Sequence, residues 1–257
     1  MADNRGAGII MSKQTDQKVA FITGGNRGIG LETARELGKL GFKVVLGVRD
    51  PNKGEAAVVT LRGEKIDAEA IAYDAKQPAT DKSVLAHLTQ RYGKLDVLVN
   101  NSGVANEELL SNSALTVDDA TLEETFAVNL FAVVRLTRTL LPLLQKAPAA
   151  RIVNVSSILG SLTLHSADNS PIGPAKAFAY NASKTALNAY TVHLADALKG
   201  TSIKVNSIHP GWVKTDLGGK HATDEIVGSG KTSARLATIG SDGPSGGFFH
   251  LDATLPW

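Results

Sequence analysis

Val19-Ala20-Phe21-Ile22 runs straight into Thr23-Gly24-Gly25-Asn26-Arg27-Gly28-Ile29-Gly30, and no other segment restricts the fold of this chain as much. The four apolar residues suit a strand buried on both faces. An amphipathic stretch, Leu31 to Leu40, follows and stops at Gly41, as a helix does. Glycines at 24, 28 and 30 let the backbone turn tightly and approach a pyrophosphate, which then rests on helix amides and the positive end of the helix dipole. A glycine cluster alone marks only a turn. Between a strand and a helix, at the head of an alternating pattern, it reads as a dinucleotide site.

The alternation continues along the chain. Strands are expected near 18–23, 43–48, 69–74, 95–100, 150–157, 203–208 and 246–250, and helices near 28–40, 52–62, 79–92, 118–146, 179–199 and 224–238. This rhythm predicts an α/β chain: a single-domain, doubly wound Rossmann fold over residues 17–257, with a seven-stranded parallel sheet flanked by helices. Pro142 should end or kink the long helix near its C-terminal side. Residues 1–16 lack periodicity and are expected to form a flexible tail.

Composition narrows the partners. A chain of 257 residues with 43% hydrophobic content can bury one substantial core. With no run of about 18 apolar residues and a polar N-terminus, a cytoplasmic protein is expected. The absence of cysteine excludes disulfides and thiolate chemistry. A formal charge of +2, with no lysine/arginine block, gives no reason to expect nucleic acid or membrane as a partner. The histidines at 87, 165, 193, 209, 221 and 250 have no metal-ligand spacing, so no metal is expected. His209, beside Pro210, reads as a strand-end packing residue.

Chemistry is suggested by Tyr180-Asn181-Ala182-Ser183-Lys184, preceded by a strand ending in Ser156-Ser157. A tyrosine and a lysine four apart share one helix face. A phenol normally holds its proton to about pH 10. A lysine charge about 6 Å away, at an effective dielectric of about 20, stabilises the phenolate by nearly 3 kcal/mol, or about two pKa units. Such a tyrosine reaches the working range of a general acid–base catalyst.

Together these segments resemble the short-chain dehydrogenase/reductase family, from about Lys18 to the C-terminus, and within it the carbonyl reductase-like branch. The family's Thr-Gly-x-x-x-Gly-x-Gly is matched at Thr23 to Gly30, and its Asn-Asn-Ala-Gly by Asn100-Asn101-Ser102-Gly103, with serine in place of alanine. Asn129, Ser157, and Tyr180 with Lys184 match its catalytic positions, and Pro210-Gly211-Trp212-Val213-Lys214-Thr215 its Pro-Gly-x-x-x-Thr. The resemblance implies that Tyr180 donates a proton to the forming alkoxide and that Ser157 hydrogen-bonds the same oxygen. It implies that Lys184 lowers the phenol pKa and holds the nicotinamide ribose, and that Asn129 anchors a water leading from Lys184 to solvent. Gly24, Asn26, Arg27, Gly28, Ile29, Gly30, Asn101 and Gly103 would line the dinucleotide. Asp74 would contact adenine; Pro210, Gly211, Val213 and Thr215 would fix the carboxamide.

Charge bears on the choice of cofactor. An NAD site places an acid about 20 residues beyond the glycines, on the adenosine ribose. At that position of the family this chain has Val48, followed by Arg49, and Arg27 lies within the glycine loop. Two guanidinium groups can clamp a 2′-phosphate, so NADP(H) is expected, with Asp50 as a confounder. Ser157 and Tyr180 lie 23 positions apart, about ten more than in most members resembling this chain. The surplus, within Leu162 to Phe178, carries Asp168-Asn169-Ser170 and prolines 171 and 174, which predicts a surface excursion rather than an added helix. In the reductases that carry such an insertion it covers a pairing helix, so monomer and homodimer both remain open. The segment between Thr215 and Lys231 is expected to cap a small-molecule carbonyl or alcohol substrate. An NADPH-dependent carbonyl reductase is the leading reading. The alternatives are an NAD(P)-dependent secondary alcohol dehydrogenase and a non-catalytic nucleotide-binding signalling protein.

Overall fold

The computed structural model describes residues 17–107 and 113–257; the tail expected over 1–16 lies outside the described residues. β1 (Val19–Thr23), β2 (Lys43–Val48) and β5 (Arg151–Val155) are buried along their whole length, as strands covered on both faces must be. With β3 (Ala68–Ala72), β4 (Val97–Asn100), β6 (Lys204–Ile208) and β7 (Phe248–His250) they form a parallel set in the order β3-β2-β1-β4-β5-β6-β7. An eighth strand, β8 (Ala253–Thr254), pairs antiparallel with β7 at the edge, so the sheet has eight strands rather than seven. Its two residues follow a reversal at Leu251 (φ 48°) and are too few to show a period.

Helices cover both faces. α1 (Gly28–Lys39), α2 (Pro51–Gly63) and α8 (Lys231–Ala237) enclose one core with Ile22, Leu37, Leu46 and Leu61. α3 (Ala79–Tyr92) and α5 (Ala132–Leu144) enclose the other, with Phe21, Leu88, Leu136 and Leu140. The expected single helix over 118–146 is α4 (Asp119–Phe126) joined to α5 through a π-helical turn, Ala127–Phe131. Such turns are insertions that often mark functional positions, and this one contains Asn129. Pro142 lies in the last turn of α5, which ends at Leu144. This 26-residue helical run has a mean hydropathy of 1.5 over its most apolar window, half of which is buried within the fold.

Two expectations fail in detail. The insertion does contain a helix, α6 (Leu162–Ser166), one turn capped by Ser161, whose Oγ accepts from Leu164 N–H at 3.1 Å. The helix expected over 224–238 begins only at Lys231, because Gly228 holds φ at 85°, outside the right-handed helix, and Gly230 then lies close on the backbone of α1. A Cβ there would sit 2.4 Å from Thr33 N and from the Glu32 carbonyl carbon. Gly230→Ala is therefore expected to destabilise the chain by about 1–3 kcal/mol in denaturant unfolding. Gly63→Ala, where a Cβ meets nothing within 4 Å, should be neutral or stabilising by up to about 1 kcal/mol.

A polar row crosses the C-terminal half of the sheet. Asn100 Nδ2 donates to Asn154 Oδ1 at 2.8 Å, Asn154 Nδ2 donates to Thr191 Oγ1 at 2.8 Å, and the Thr191 and Ser207 hydroxyls meet at 2.8 Å. Asn100 faces Asn154, and Asn154 faces Ser207, in the pairing register.

Candidate active site

The strand order reverses at β1, between β2 and β4, and in open α/β sheets ligands bind beyond the carboxyl ends at such a point. A cavity of about 430 Å³ lies there, lined by the glycine loop, Arg49, Asp74, Asn101, Gly103 and Thr215 among others. The glycine requirement is steric. A Cβ on Gly30 would lie 2.4 Å from the Gly24 carbonyl oxygen and 2.5 Å from Asn101 Nδ2, and Gly24 holds φ at 64°.

The segment after β4 ties this loop down. Thr23 Oγ1 accepts from the N–H groups of Asn101 (3.0 Å) and Ser102 (2.9 Å), and Asn101 Nδ2 donates to the Thr23 carbonyl at 2.8 Å. The charged end of the cavity holds Arg27, Arg49 and Lys53. Asp50 lines the same cavity, and its Oδ1 accepts from the N–H of Asn52 at 2.9 Å and of Lys53 at 3.3 Å, capping α2. Arg27 pairs with Asp216 across the mouth, and Lys76 N–H donates to Asp74 Oδ1 at 3.0 Å.

A second cavity of about 490 Å³ shares Ile29, Asn101, Gly103, Thr215 and Leu217 with the first, so the two form one cleft. Ser157, Tyr180 and Lys184 converge on it, beside Pro210, Gly211 and Val213, and all three are buried. α7 (Phe178–Ala197) places Tyr180 and Lys184 one turn apart, with the ammonium 5.7 Å from the phenol ring centre. Lys184 Nζ donates to the Val155 carbonyl at 2.8 Å. A Cβ on Gly103 would come within 3.6 Å of Lys184 Nζ and 3.4 Å of Asn129 Oδ1, so this glycine keeps the space beside both open.

Asn129 is fully buried. Its Oδ1 accepts from Val104 N–H, and its Nδ2 donates to the Val104 carbonyl, all at 2.9 Å. Nδ2 also donates to Ser183 Oγ at 3.0 Å, and that hydroxyl donates to the Tyr180 carbonyl at 2.7 Å. The side chain thus braces the loop after β4 against the tyrosine helix.

Electrostatics depart from the expectation drawn from spacing. Burial pushes the Tyr180 phenol up to about 12, with the Ser157 hydroxyl pulling the other way, and burial pushes Lys184 down to about 8. Desolvation penalises both charged forms and outweighs the attraction between them. Tyr180 therefore keeps its proton at neutral pH.

Two residues in or beside the site carry no sequence signature. Glu107 Oε2 accepts from the Tyr180 N–H at 2.9 Å, capping α7, whose own cap residue Ala177 has no side-chain oxygen. The missing serine, threonine or aspartate at 177 is the only trace of this in the sequence. His209 packs at the end of β6 against His250, as expected, and also lines the second cavity.

The family model for short chain dehydrogenase matches residues 18–226. The chain is 32% identical to salutaridine reductase of Papaver bracteatum, over 91% of this chain and 94% of that protein. It is also 32% identical to (+)-neomenthol dehydrogenase of Arabidopsis thaliana, over 93% and 97%. The crystal structure of NADPH-bound carbonyl reductase from chicken fatty liver superposes with a TM-score of 0.81 at 27% identity, covering 94% of this chain and 99% of that one. The chain belongs to the short-chain dehydrogenase family, and with it to the oxidoreductases that act between carbonyl and alcohol groups.

Proposed function

We propose that the chain is an NADPH-dependent carbonyl reductase that reduces a ketone or aldehyde, with Tyr180 as the general acid. One observation carries this reading: Ser157, Tyr180 and Lys184 face a cavity continuous with the glycine-loop cleft. That cleft suits a dinucleotide, because the glycine loop lining it runs from the carboxyl end of β1 directly into the N-terminus of α1. Gly24, Asn26, Arg27, Gly28, Ile29 and Gly30 would hold the pyrophosphate at the start of α1. Asp74 would meet the adenine, and Pro210, Gly211, Val213 and Thr215 the carboxamide, with Asn101 and Gly103 lining the wall between. The bound dinucleotide supplies the hydride.

The remaining work falls to the chain itself. Ser157 Oγ, which already accepts from Leu159 N–H at 3.2 Å, has its own proton free to donate to the carbonyl oxygen. Tyr180 delivers its proton to the same atom as negative charge develops there. Lys184 holds positive charge beneath the phenol and returns the proton, and Asn129 keeps the loop and α7 in register. Ile172, Pro171, Trp212 and Leu217 give the cavity apolar walls. This agrees with relatives named for salutaridine and neomenthol.

The preference for NADPH rests on Arg27 and Arg49 at the charged end of the cavity, which Asp50 also lines while its Oδ1 caps α2. Arg49→Ala is expected to raise the KM for NADPH about tenfold or more, one charge-assisted pair being worth about 1.5–3 kcal/mol, and to leave that for NADH within about twofold. Equal effects on the two cofactors would count against the clamp. The activity itself is tested by following NADPH oxidation with aromatic, aliphatic and cyclic ketones and aldehydes, and NADH in parallel. Tight NADPH binding without turnover of any of them would remove the reductase reading.

A further inference from the structure

We propose that His209 is a specificity-determining residue, whose Nε2–H donates to a second oxygen on the substrate. The substrate class is then a carbonyl compound with an apolar frame and a further hydroxyl, carbonyl or ether acceptor. The proposal rests on the carbonyl-reductase reading, and it assigns to the same cavity a requirement that the chemistry of reduction does not impose.

The ring is fixed by its neighbours. Ile158, the residue after Ser157, donates its N–H to His209 Nδ1 at 3.3 Å. A nitrogen that accepts this bond carries no proton, so the neutral ring bears its hydrogen on Nε2. The ring is neutral under ordinary conditions: burial, followed by His250, pushes His209 down to about 4, with Asp224 opposing. His250 does not take the Nε2 proton. Its Nδ1–H donates to the His209 backbone carbonyl at 2.9 Å, and the two ring centres stand 5.0 Å apart. Asp224 is engaged as well, its Oδ2 accepting from Trp212 N–H at 2.7 Å and its Oδ1 from the Thr223 hydroxyl at 3.1 Å.

Nε2 has no acceptor among the described residues and belongs to a residue that lines the cavity. The other polar side chains there are engaged. Trp212 Nε1 donates to the Gly218 carbonyl at 2.9 Å, Asn101 Nδ2 to the glycine loop, and Thr215 Oγ1 to the Val213 carbonyl at 3.4 Å. Ser156 Oγ donates to the Lys184 carbonyl at 3.4 Å. Once Ser157, Tyr180 and Lys184 are assigned to the reacting oxygen and the cofactor, His209 is, among the described residues lining this cavity, the one side-chain donor left without an acceptor. A wholly apolar substrate would leave that donor without a partner, and a site built to hydrogen-bond a substrate group discriminates against the analogue that lacks it.

The test compares tetralone with its hydroxytetralone isomers, in wild type, His209→Asn and His209→Gln. Asparagine keeps an acceptor near Nδ1 for Ile158 and removes the distal donor, whereas glutamine keeps a donor near Nε2. Wild type is expected to favour at least one hydroxytetralone over tetralone by about tenfold in kcat/KM. His209→Asn should bring that ratio to within about twofold of one, and His209→Gln should hold most of it. A wild-type ratio near one for every isomer, or a ratio unchanged in His209→Asn, overturns the proposal while leaving the reductase reading intact. If no ketone turns over, the reductase reading fails, and tryptophan-fluorescence titration of the same pairs still decides the role of His209. Equal affinities overturn it, and a preference lost in His209→Asn supports it.

Discussion

Tyr180→Phe is expected to lower kcat about a thousandfold and to leave NADPH affinity within about twofold. The phenylalanine ring fills the same buried place on α7, and the contacts of the Tyr180 backbone, to Glu107 and Ser183, do not involve the phenol. What disappears is a proton held ready at the floor of the cavity. Because burial raises the phenol to about 12, the wild-type acid is fully loaded through the neutral range, and the variant has no substitute at that atom. Single-turnover reduction, cofactor titration and thermal melting separate the three effects. A variant within about tenfold of wild type would show that another group delivers the proton.

Lys184→Met is expected to abolish measurable turnover and to change the pH dependence of stability in a defined direction. The folded lysine has its pKa lowered from 10.5 to about 8 by burial. Below pH 8 the folded chain bears the full cost of a desolvated ammonium. Between about 8 and 10.5 the unfolded chain binds more protons than the folded one, so wild-type stability gains as pH rises through this window. Methionine has no such dependence. The stability difference between the two proteins should therefore move in favour of wild type by roughly 3 kcal/mol from pH 7 to pH 10.5. Loss of the Nζ bond to the Val155 carbonyl adds an offset that does not vary with pH. Denaturant unfolding at both pH values reads the change directly; a difference that stays constant would mean Lys184 is better solvated than its burial indicates.

How much of this was legible in the sequence varies with the kind of signal. β1 is plain because a strand buried on both faces leaves an uninterrupted apolar run, Val19 to Ile22, and β8 is not, because two edge residues leave none. The helix before Ala237 was drawn too long. The sequence does not say which of Gly228 and Gly230 leaves the helical region, and it is Gly228, at φ 85°, that delays the start. Spacing placed Tyr180 and Lys184 on one helix face, yet it gave the wrong sign for the phenol, since burial depends on residues brought in from β5, the insertion and the segment after β6. The cap that Asp50 Oδ1 makes on α2 is a local Asp-Pro signal, whereas its place beside Arg49 in the cavity depends on the fold. Glu107 and His209 act through partners 73 and 51 positions away, and no local pattern encodes such distances.

The row Asn100–Asn154–Thr191–Ser207 has a consequence for how the molecule can change. Side chains alternate across a sheet, so a slip of one residue in β4, β5 or β6 would turn Asn100, Asn154 or Ser207 respectively to the opposite face, away from its neighbours in the row and from Thr191 on α7. The frame of the cleft is thus keyed like a lock barrel, with its central strands unable to creep past one another. New specificities must then arise in the parts hung upon that frame, the insertion after Ser157 and the segment after Thr215. Engineering that alters those two segments works on trim, whereas any change to the asparagine row works on the keyway.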